Sequence, residues 1–434
     1  MHTLNELRSG QLVDAKHLRL SCALTEFPQE IFLLAESLEV LDLSGNRLSS
    51  LPADFWKFSK LKILFMSDNL FTELPEVLSN CPVLEMIGFK SNQIVEVPEL
   101  SIPASTRWLI LTNNKIKKLP ASLGKCSKLQ KVALAGNRLT ALPEEMVNCN
   151  NLELLRISAN LLITFPRSLL GLPKLSWLAF SGNPFCKKYD KGNGLNEISW
   201  KEFDVSEQLG EGASGNIYKA LWHTTDFTKD VALKIFKGEV TSDGLPGDEM
   251  QAAILAGSHP GFVKLFGKIV DHPQQKQGLV MELIPPNYKN LGQPPSLETC
   301  SRDTFLPSTT FRLEEVLKIA KTVASAAAQL HQNGMMHGDL YAHNILVDRY
   351  ANCLFTDFGA TSFYALDDPW SINLQYMEAR AFGCLLDDLL TRVDRVDAKD
   401  KLIIPLLKLR DELLNENPAA RVLFKEIVSR LGVL

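Results

Sequence analysis

Three polar residues in the second half of the chain have the types and spacing of a phosphate-transfer site. Asp339 is followed by Asn344 five residues later, and by Asp357, with Phe358 and Gly359 after it, eighteen residues later. A carboxylate can orient and deprotonate an attacking hydroxyl, while a second carboxylate and a carboxamide can hold Mg²⁺ against the phosphates of ATP. Positioning and charge neutralisation do most of the catalysis in such a reaction. The sequence therefore predicts phosphoryl transfer from ATP with Mg²⁺.

A glycine-rich turn lies upstream, between two segments that alternate like strands. It reads Gly210-Glu211-Gly212-Ala213-Ser214-Gly215-Asn216-Ile217. A dinucleotide-binding turn would lead directly into a helix, but here the chain continues into an alternating segment, 231–236, that carries one lysine. This order of glycine turn, lysine strand, Asp-Asn pair and Asp-Phe-Gly resembles the eukaryotic-type protein kinases. The resemblance predicts a two-lobed α+β domain over residues 201–434.

The resemblance to protein kinases implies a role for each residue of the predicted site. Asp339 would be the catalytic base, and Asn344 and Asp357 would bind Mg²⁺. Lys234 would bind the α- and β-phosphates of ATP. The glycine turn and the residue after it would also contact ATP: Gly210, Gly212, Gly215 and Ile217.

The partner of that lysine and the adenine-binding segment follow from the same resemblance. Glu249 has the best phase for holding the lysine, because it lies 11 residues before Pro260, and Asp248 is the alternative. An apolar strand then runs into two prolines and resembles the hinge between kinase lobes. Backbone groups from Glu282 to Ile284 would bond adenine, and Met281 would stand at the back of the pocket.

Several departures from the kinase pattern bear on regulation and specificity. Gly338 replaces the Arg that pairs with a phosphorylated activation loop, so control by loop phosphorylation is not expected. Tyr341 occupies the position where Ser/Thr kinases carry a Lys close to the γ-phosphate. Only 21 residues separate Asp357 from Glu378, without an Ala-Pro-Glu motif, which shortens the substrate-binding part of the segment. Glu378 would stand for the Asp that begins the next helix, and it is also a candidate partner for Arg421.

Residues 15–186 contain a sequence repeat with a period of 22 or 23 residues. Each copy follows Leu-x-x-Leu-x-Leu-x-x-Asn, the pattern of leucine-rich repeats. We expect each Leu-x-Leu to form a short strand, and each asparagine side chain to bond backbone groups of neighbouring turns. The asparagines are Asn46, Asn69, Asn92, Asn114, Asn137, Asn160 and Asn183.

Strand residues that point away from the leucine core are expected to form one column on the concave face of the repeats. Its members are Val40, Ile63, Met86, Trp108, Lys131, Leu154 and Trp177, with Phe65 and Ile110 beside it. Neighbouring columns could half bury these side chains. The alternative is a hydrophobic docking strip, either for a protein substrate or regulator or for the chain's own kinase-like domain.

The complete fold prediction is an α/β leucine-rich repeat solenoid followed by a two-lobed α+β protein-kinase-like domain. Residues 187–200 read as a cap and linker between the two, because they break both periodicities. Inside the second domain, residues 287–310 are rich in Pro, Ser, Thr and Asn and predict a long loop. The next segment, 311–333, is amphipathic and predicts the helix that leads to Asp339.

Composition sets limits on partners and location. The 46 basic and 50 acidic residues nearly cancel, which gives no reason to expect nucleic acid as the main partner. No apolar run approaches the roughly 20 residues of a membrane span, and the start of the chain lacks a signal-peptide pattern. The eight cysteines are scattered without a CxxC pair. These features predict a cytoplasmic protein.

Three functions compete for this combination of domains. The favoured one is an ATP-dependent protein kinase whose repeats recruit a protein substrate or regulator, most similar to the cytosolic leucine-rich repeat kinases of bacteria. Serine or threonine is the favoured acceptor, although Ala342 sits where tyrosine kinases often carry Ala. The alternatives are an ATP-binding pseudokinase scaffold and a small-molecule phosphotransferase of the aminoglycoside or choline kinase type, whose His-Gly-Asp-Leu motif is shared here.

Overall fold

The computed structural model describes residues 2–186, 195–238, 240–394 and 401–434. These residues divide into two compact units. The first contains the chain up to Leu175 together with Asn183–Phe185, and the second contains Ser176–Gly182 and the described residues from Cys186 onward. None of the helices within the described ranges is long and apolar enough to cross a membrane.

The first unit is a series of very short parallel strands, most of which are followed by a short 3₁₀ helix. It begins with a capped helix, Leu4–Arg8 (α1). The strands are His17–Arg19 (β1), Val40–Asp42 (β2), Ile63–Phe65 (β3), Met86–Gly88 (β4), Trp108–Ile110 (β5), Lys131–Ala133 (β6) and Leu154–Arg156 (β7). Each pairs in parallel with the next, without a shift in register. The 3₁₀ turns are Gln29–Leu34, Phe55–Lys57, Glu76–Asn80, Ala121–Lys125, Glu144–Asn148 and Arg167–Gly171.

The repeat asparagines form a buried ladder beside these strands. The Asn137 Nδ2 donates to the carbonyl oxygens of Leu111 and Leu134, both at 2.9 Å, and its Oδ1 accepts from Ile116 N at 3.0 Å. One side chain thus satisfies backbone groups of two successive repeats, which a buried backbone requires. The same bonding recurs along the ladder, so the leucine-rich repeat prediction is confirmed.

The side chains of the predicted concave column are half-buried or buried. Val40, Ile63 and Trp108 are half-buried, and Met86 and Leu154 are buried. The Lys131 Nζ lies 4.3 Å from the centroid of the Trp108 ring, a cation–π contact between neighbouring strands. The last member of the column, Trp177, belongs to the second unit and is described below.

The second unit begins with a mixed six-stranded sheet. Its strands are Asn196–Ser199 (β9), Phe203–Glu211 (β10), Gly215–His223 (β11), Thr228–Phe236 (β12), Leu265–Val270 (β13) and Gly278–Glu282 (β14), in the spatial order β10-β11-β12-β14-β13-β9. Helix Pro246–Ala256 (α2) follows β12. A cluster of buried apolar side chains, among them Val231, Leu233 and Val280, forms the core of this part of the second unit.

A helical layer completes the second unit. Its helices are Leu313–Gln332 (α3), Ser371–Leu390 (α4), Ile403–Leu413 (α5) and Phe424–Gly432 (α6). Its short strands are Lys289–Asn290 (β15), Met335–Met336 (β16), Ile345–Val347 (β17), Cys353–Phe355 (β18) and Ser362–Phe363 (β19), and strand Trp177–Ala179 (β8) also belongs to this unit. Helix α3 lies within residues 311–333, where the sequence predicted a helix. Alanine and branched aliphatic residues fill most of its buried face.

Two segments differ from their predictions. The linker prediction covers residues 187–200, of which 187–194 lie outside the described residues. Asn196–Ser199, however, is a strand, because it pairs in parallel with β13 and buries Ile198 in the core. Residues 287–310, predicted as a loop, contain strand β15, and Gln293 pairs with Thr304 in an antiparallel bridge.

Candidate active site

Lys234 and Glu249 form an ion pair at the centre of the second unit. Lys234 points inward from β12, and Glu249 lies in the first turn of α2, so the Nζ and Oε1 atoms meet. The side chains are only 14% and 4% exposed, respectively. Burial raises the pKa of Glu249, whereas the charge of Lys234 opposes that rise. The neighbouring Asp248, the alternative partner in the sequence prediction, is not the residue placed against Lys234.

A cavity of about 700 Å³ opens beside this ion pair. Five of the predicted ATP contacts line it: Ile217, Lys234, Met281, Glu282 and Ile284. Apolar side chains close it from both sides, with Ala232 from β12 and Leu346 from β17. This volume and its mainly apolar lining, with a few polar groups, suit a bound small molecule of nucleotide size.

The glycine-rich turn joins β10 to β11 near the same ion pair. Gly210 lies opposite Ile217 in the β10–β11 ladder, and Gly212 N donates to Gly215 O at 2.8 Å. Ser214, in this turn, favours a lower pKa of Glu249 and so opposes the rise caused by burial. The predicted glycines are thus positioned by the turn, although they do not line the cavity wall.

Asp339 and Asn344 are held together within one short loop, residues 337–344, which we call the catalytic loop. The Asn344 Nδ2 donates to Asp339 Oδ2 at 2.7 Å and to Asp339 O at 3.0 Å. Asp339 remains partly exposed while Asn344 is buried. Thr356, just before Asp357, donates from its Oγ1 to Asn344 O at 3.0 Å. This bond ties the catalytic loop to the end of β18.

Asp357, the residue after Thr356, is exposed. Its Oδ1 accepts from Gly359 N at 2.7 Å, which fixes the orientation of the side chain. The next residue, Phe358, is buried, and its ring centroid lies 5.6 Å from those of Phe262 and His337. Burial is the main cause of the raised pKa of Glu249, and the charge of Asp357 adds to it. Asp357 is therefore electrostatically coupled to the Lys234–Glu249 pair.

A carboxylate that the sequence pattern did not indicate braces the catalytic loop. Asp303 lies in the 287–310 segment, with its side chain 1% exposed. Its Oδ2 accepts from His343 N at 3.0 Å, and its Oδ1 lies 2.7 Å from His343 Nδ1. Burial lowers the pKa of His343, but the hydrogen bond and charge of Asp303 outweigh it, so the pKa is raised overall. No periodicity in the sequence could reveal this pair across 40 residues.

Glu378 binds the backbone of the catalytic loop. This fully buried carboxylate accepts from Gly338 N at 2.7 Å and from His337 N at 3.2 Å, and it lies 2.8 Å from His331 Nε2. Burial raises the pKa of Glu378, but the hydrogen bond and charge of His331 outweigh it, so the pKa is lowered. Arg421 donates from Nε to Asn415 O at 2.9 Å and from Nη1 to Tyr376 O at 3.2 Å, and its suggested pairing with Glu378 stays a prediction.

The residues predicted to hold Mg²⁺ fit that ion. The Asn344 amide nitrogen donates to Asp339, so the amide oxygen is the atom that would bind a metal ion. Asp357 is exposed, and one of its carboxylate oxygens accepts from Gly359 N. Mg²⁺ prefers oxygen ligands and is usually held by one or two protein groups together with substrate phosphates. The donor set is therefore of the right type for an ion that arrives with a nucleotide.

Comparison with known proteins gives two family matches within the chain. Residues 203–373 match the family model described as protein tyrosine and serine/threonine kinase. Residues 16–71, 36–94 and 127–185 match the leucine rich repeat model. Among solved structures, a leucine-rich repeat protein of Leptospira interrogans is 28% identical, with a TM-score of 0.39, over 42% of this chain and 47% of that chain.

Curated relatives match less than half of this chain. A probable serine/threonine-protein kinase of Dictyostelium discoideum is 33% identical over 159 residues, which are 36% of this chain and 9% of that protein. A putative serine/threonine-protein kinase/receptor of Acanthamoeba polyphaga mimivirus is 31% identical over 40% of this chain and 10% of that protein. Mouse cyclin-dependent kinase 11B is 29% identical over 44% of this chain and 25% of its own length. The chain thus spans about a tenth of the length of the first two relatives.

Proposed function

We propose that this chain, which contains leucine-rich repeats and a protein kinase domain, transfers the γ-phosphoryl group of ATP to serine or threonine hydroxyls of a protein. One observation carries the proposal. The Lys234–Glu249 pair faces a nucleotide-sized cavity, while Asp339, Asn344 and the adjacent Asp357 form a second polar group linked through Thr356. Phosphoryl transfer needs this combination of a phosphate-binding cation, metal-binding oxygens and a base.

Each residue has a distinct part in the proposed reaction. Asp339 aligns the acceptor hydroxyl and takes its proton as the hydroxyl oxygen bonds to the γ-phosphorus. The bond from that phosphorus to the bridging oxygen breaks, and ADP leaves. Lys234, held by Glu249, binds the α- and β-phosphates, so charge on the departing ADP is stabilised. The backbone from Glu282 to Ile284 binds adenine at the cavity wall.

The nucleotide is proposed to bind as its Mg²⁺ complex. Asn344 and Asp357 would hold the ion, which supplies charge neutralisation at the phosphates when bound. Asp339 keeps Asn344 oriented for this purpose through the bond at 2.7 Å. The bond from Gly359 N does the same for Asp357. Both metal-binding side chains are therefore preorganised by contacts within the chain.

The acceptor class is inferred from the relatives, and the location from the cysteines. Several curated relatives carry serine/threonine-kinase names, which supports those acceptors over tyrosine. A repeat array suits a protein substrate or regulator better than a small amino alcohol, since repeat solenoids offer extended concave surfaces for partners. We further propose that the protein acts in the cytoplasm, because all eight cysteines are free thiols, as in a reducing compartment.

An acceptor panel tests this function. The protein would be incubated with γ-labelled ATP and Mg²⁺, with a generic protein substrate in one arm and aminoglycoside and choline acceptors in the other. The proposal expects label on protein, recovered as phosphoserine or phosphothreonine. Label on the amino alcohols alone would identify a small-molecule phosphotransferase. Nucleotide binding without transfer to any acceptor would identify a scaffold.

A further inference from the structure

The segment Ser176–Gly182, which we call the clamp segment, lies against the catalytic loop within the second unit. The Trp177 ring stacks on the Tyr341 ring, with centroids 4.4 Å apart and planes 10° from parallel. The Trp177 Nε1 also donates to Leu340 O at 3.1 Å. Trp177 and Tyr341 are 2% and 5% exposed, respectively. A residue of the predicted docking column is thus used to cover the two residues that follow Asp339.

The same segment holds the chain that follows Gly359. Phe180 N donates to Ser362 Oγ at 2.8 Å, and the Ser181 Oγ donates to Thr361 O at 2.9 Å. Thr361 and Ser362 are buried. The clamp segment therefore binds both the catalytic loop and the beginning of the segment that, in phosphorylation-controlled kinases, is ordered by an added phosphate.

Close approach of the clamp segment also explains the glycine before Asp339. Gly338 has φ +74°, and a Cβ there would lie 2.5 Å from Leu178 O and 2.6 Å from Ala360 O. Both oxygens are backbone atoms, so neither can move aside as the end of a flexible side chain could. Any side chain at this position would force β8 and the catalytic loop apart. The absence of the usual Arg is thus a steric requirement that the clamp segment shares with Ala360.

We infer that the clamp segment, with Trp177 as its central positioning residue, orders the catalytic loop and the 360–363 segment in place of a phosphorylated activation loop. Both sequence departures next to Asp339 contact the clamp segment, since Gly338 lies against Leu178 O and Tyr341 stacks on Trp177. This inference rests on the proposed kinase function for its catalytic consequence, but not for its structural one.

The contacts favour positioning over occlusion of the site. With the clamp segment in place, Lys234 and Glu249 are paired and Phe358 is buried. Asp339 remains partly exposed, and Trp177 does not line the nucleotide cavity. A segment that blocked the reaction would cover the base or displace these groups. Small displacements of a catalytic group cost large factors in rate, so an anchor on the loop has a kinetic effect.

Steady-state kinetics of Trp177 variants test the catalytic consequence. Trp177→Ala removes the ring stack and the Nε1 bond, and we expect kcat to fall by about tenfold or more while KM for ATP changes less than about twofold. Trp177→Phe keeps an aromatic ring and should recover most of kcat. Trp56→Ala, at a tryptophan that is 52% exposed in the repeats, is the matched control and should leave kcat unchanged. Unchanged or increased kcat in Trp177→Ala would overturn the inference.

Hydrogen–deuterium exchange tests the structural consequence without needing activity. Amides of residues 337–343 and 360–363 should exchange faster in Trp177→Ala than in the wild type, while β12 and β14 stay equally protected. Equal protection of both loops in the variant would contradict the inference, whether or not the protein transfers phosphate. Wild-type inactivity combined with faster loop exchange would instead refute the proposed function alone.

Discussion

At the scale of single residues, the site is built from charged groups that each have an assigned partner. Lys234 is paired with Glu249, Asp339 with Asn344, and His343 with Asp303. Buried or half-buried charges are costly unless paired, so each pairing fixes a functional side chain in one orientation. Pairing with Glu249 restrains Lys234 before the nucleotide arrives, so less side-chain entropy is lost when the nucleotide binds.

Loss of the Glu249 charge should leave Lys234 without its anchor. We expect Glu249→Gln to lower kcat/KM by about 10²-fold, as for the loss of one preorganised transition-state contact. Asp248→Asn, one residue earlier on α2, is the matched control and should stay within about twofold. Steady-state kinetics on all three proteins would decide the assignment, and a larger effect of Asp248→Asn would reverse it.

The lowered pKa of Glu378 makes a pH-dependent contribution to stability. A carboxyl whose folded pKa lies below its unfolded value of 4.5 stabilises the fold above that pH, and the contribution is lost as pH falls through the folded pKa. Glu378→Gln should therefore lower the free energy of unfolding by about 3 kcal/mol at pH 7, as for a broken buried pair. Urea unfolding should show a smaller wild-type–variant difference near pH 4. An equal difference at both pH values would contradict this linkage.

At the scale of elements, the 287–310 segment is a brace rather than a loose insertion. Asp303 binds the backbone and ring of His343, while the adjacent Arg302 pairs with Asp387 and Asp388 on α4. Helix α4 also supplies Glu378 to the catalytic loop. The catalytic loop is therefore held from α4 both directly and through this segment.

Removing the brace should slow the reaction more than it weakens nucleotide binding. We expect Asp303→Ala to lower kcat by about tenfold, because two bonds to His343 are lost beside Asn344, while ATP affinity changes less than about twofold. Glu298→Ala, at an exposed position of the same segment, serves as the control. A variant with unchanged kcat would show that the segment has no positioning role.

The sequence predicted the elements whose residues lie close together along the chain or recur with a period. The asparagine ladder, the Glu249 phase on α2 and the Asp339–Asn344 spacing belong to this class. The Asp303–His343 pair, the stacking of Trp177 on Tyr341 and strand Asn196–Ser199 do not, because each depends on contacts with residues far away in sequence. The repeat pattern predicted that the Trp177 side chain points away from the leucine core, but it could not predict which residues would cover the ring.

At the scale of the whole molecule, one chain contains leucine-rich repeats followed by a protein kinase-like unit. The first unit offers half-buried aromatic and apolar side chains around Trp108, with Lys131 against that ring. Tryptophan is enriched among residues that dominate binding energy at protein interfaces. This composition supports the proposal that the repeats recruit the protein substrate or a regulator of the reaction.

Recruitment by the repeats should appear in KM rather than in kcat. For a protein substrate found in the acceptor panel, we expect Trp108→Ala to raise the KM of that substrate by about tenfold and to leave kcat and the KM for ATP unchanged. Trp56→Ala is again the control. An unchanged protein-substrate KM in Trp108→Ala would remove this column from the binding surface.

The most direct test of the account compares phosphate transfer by the wild type and Asp339→Asn, with ATP–Mg²⁺ binding measured on the same samples. We expect the wild type to label protein, and the variant to lose about 10³-fold in rate while keeping its nucleotide affinity within about threefold. Undiminished transfer in the variant would contradict the role of Asp339. Tight nucleotide binding by a wild type that transfers nothing would contradict the proposal that this site is an enzyme.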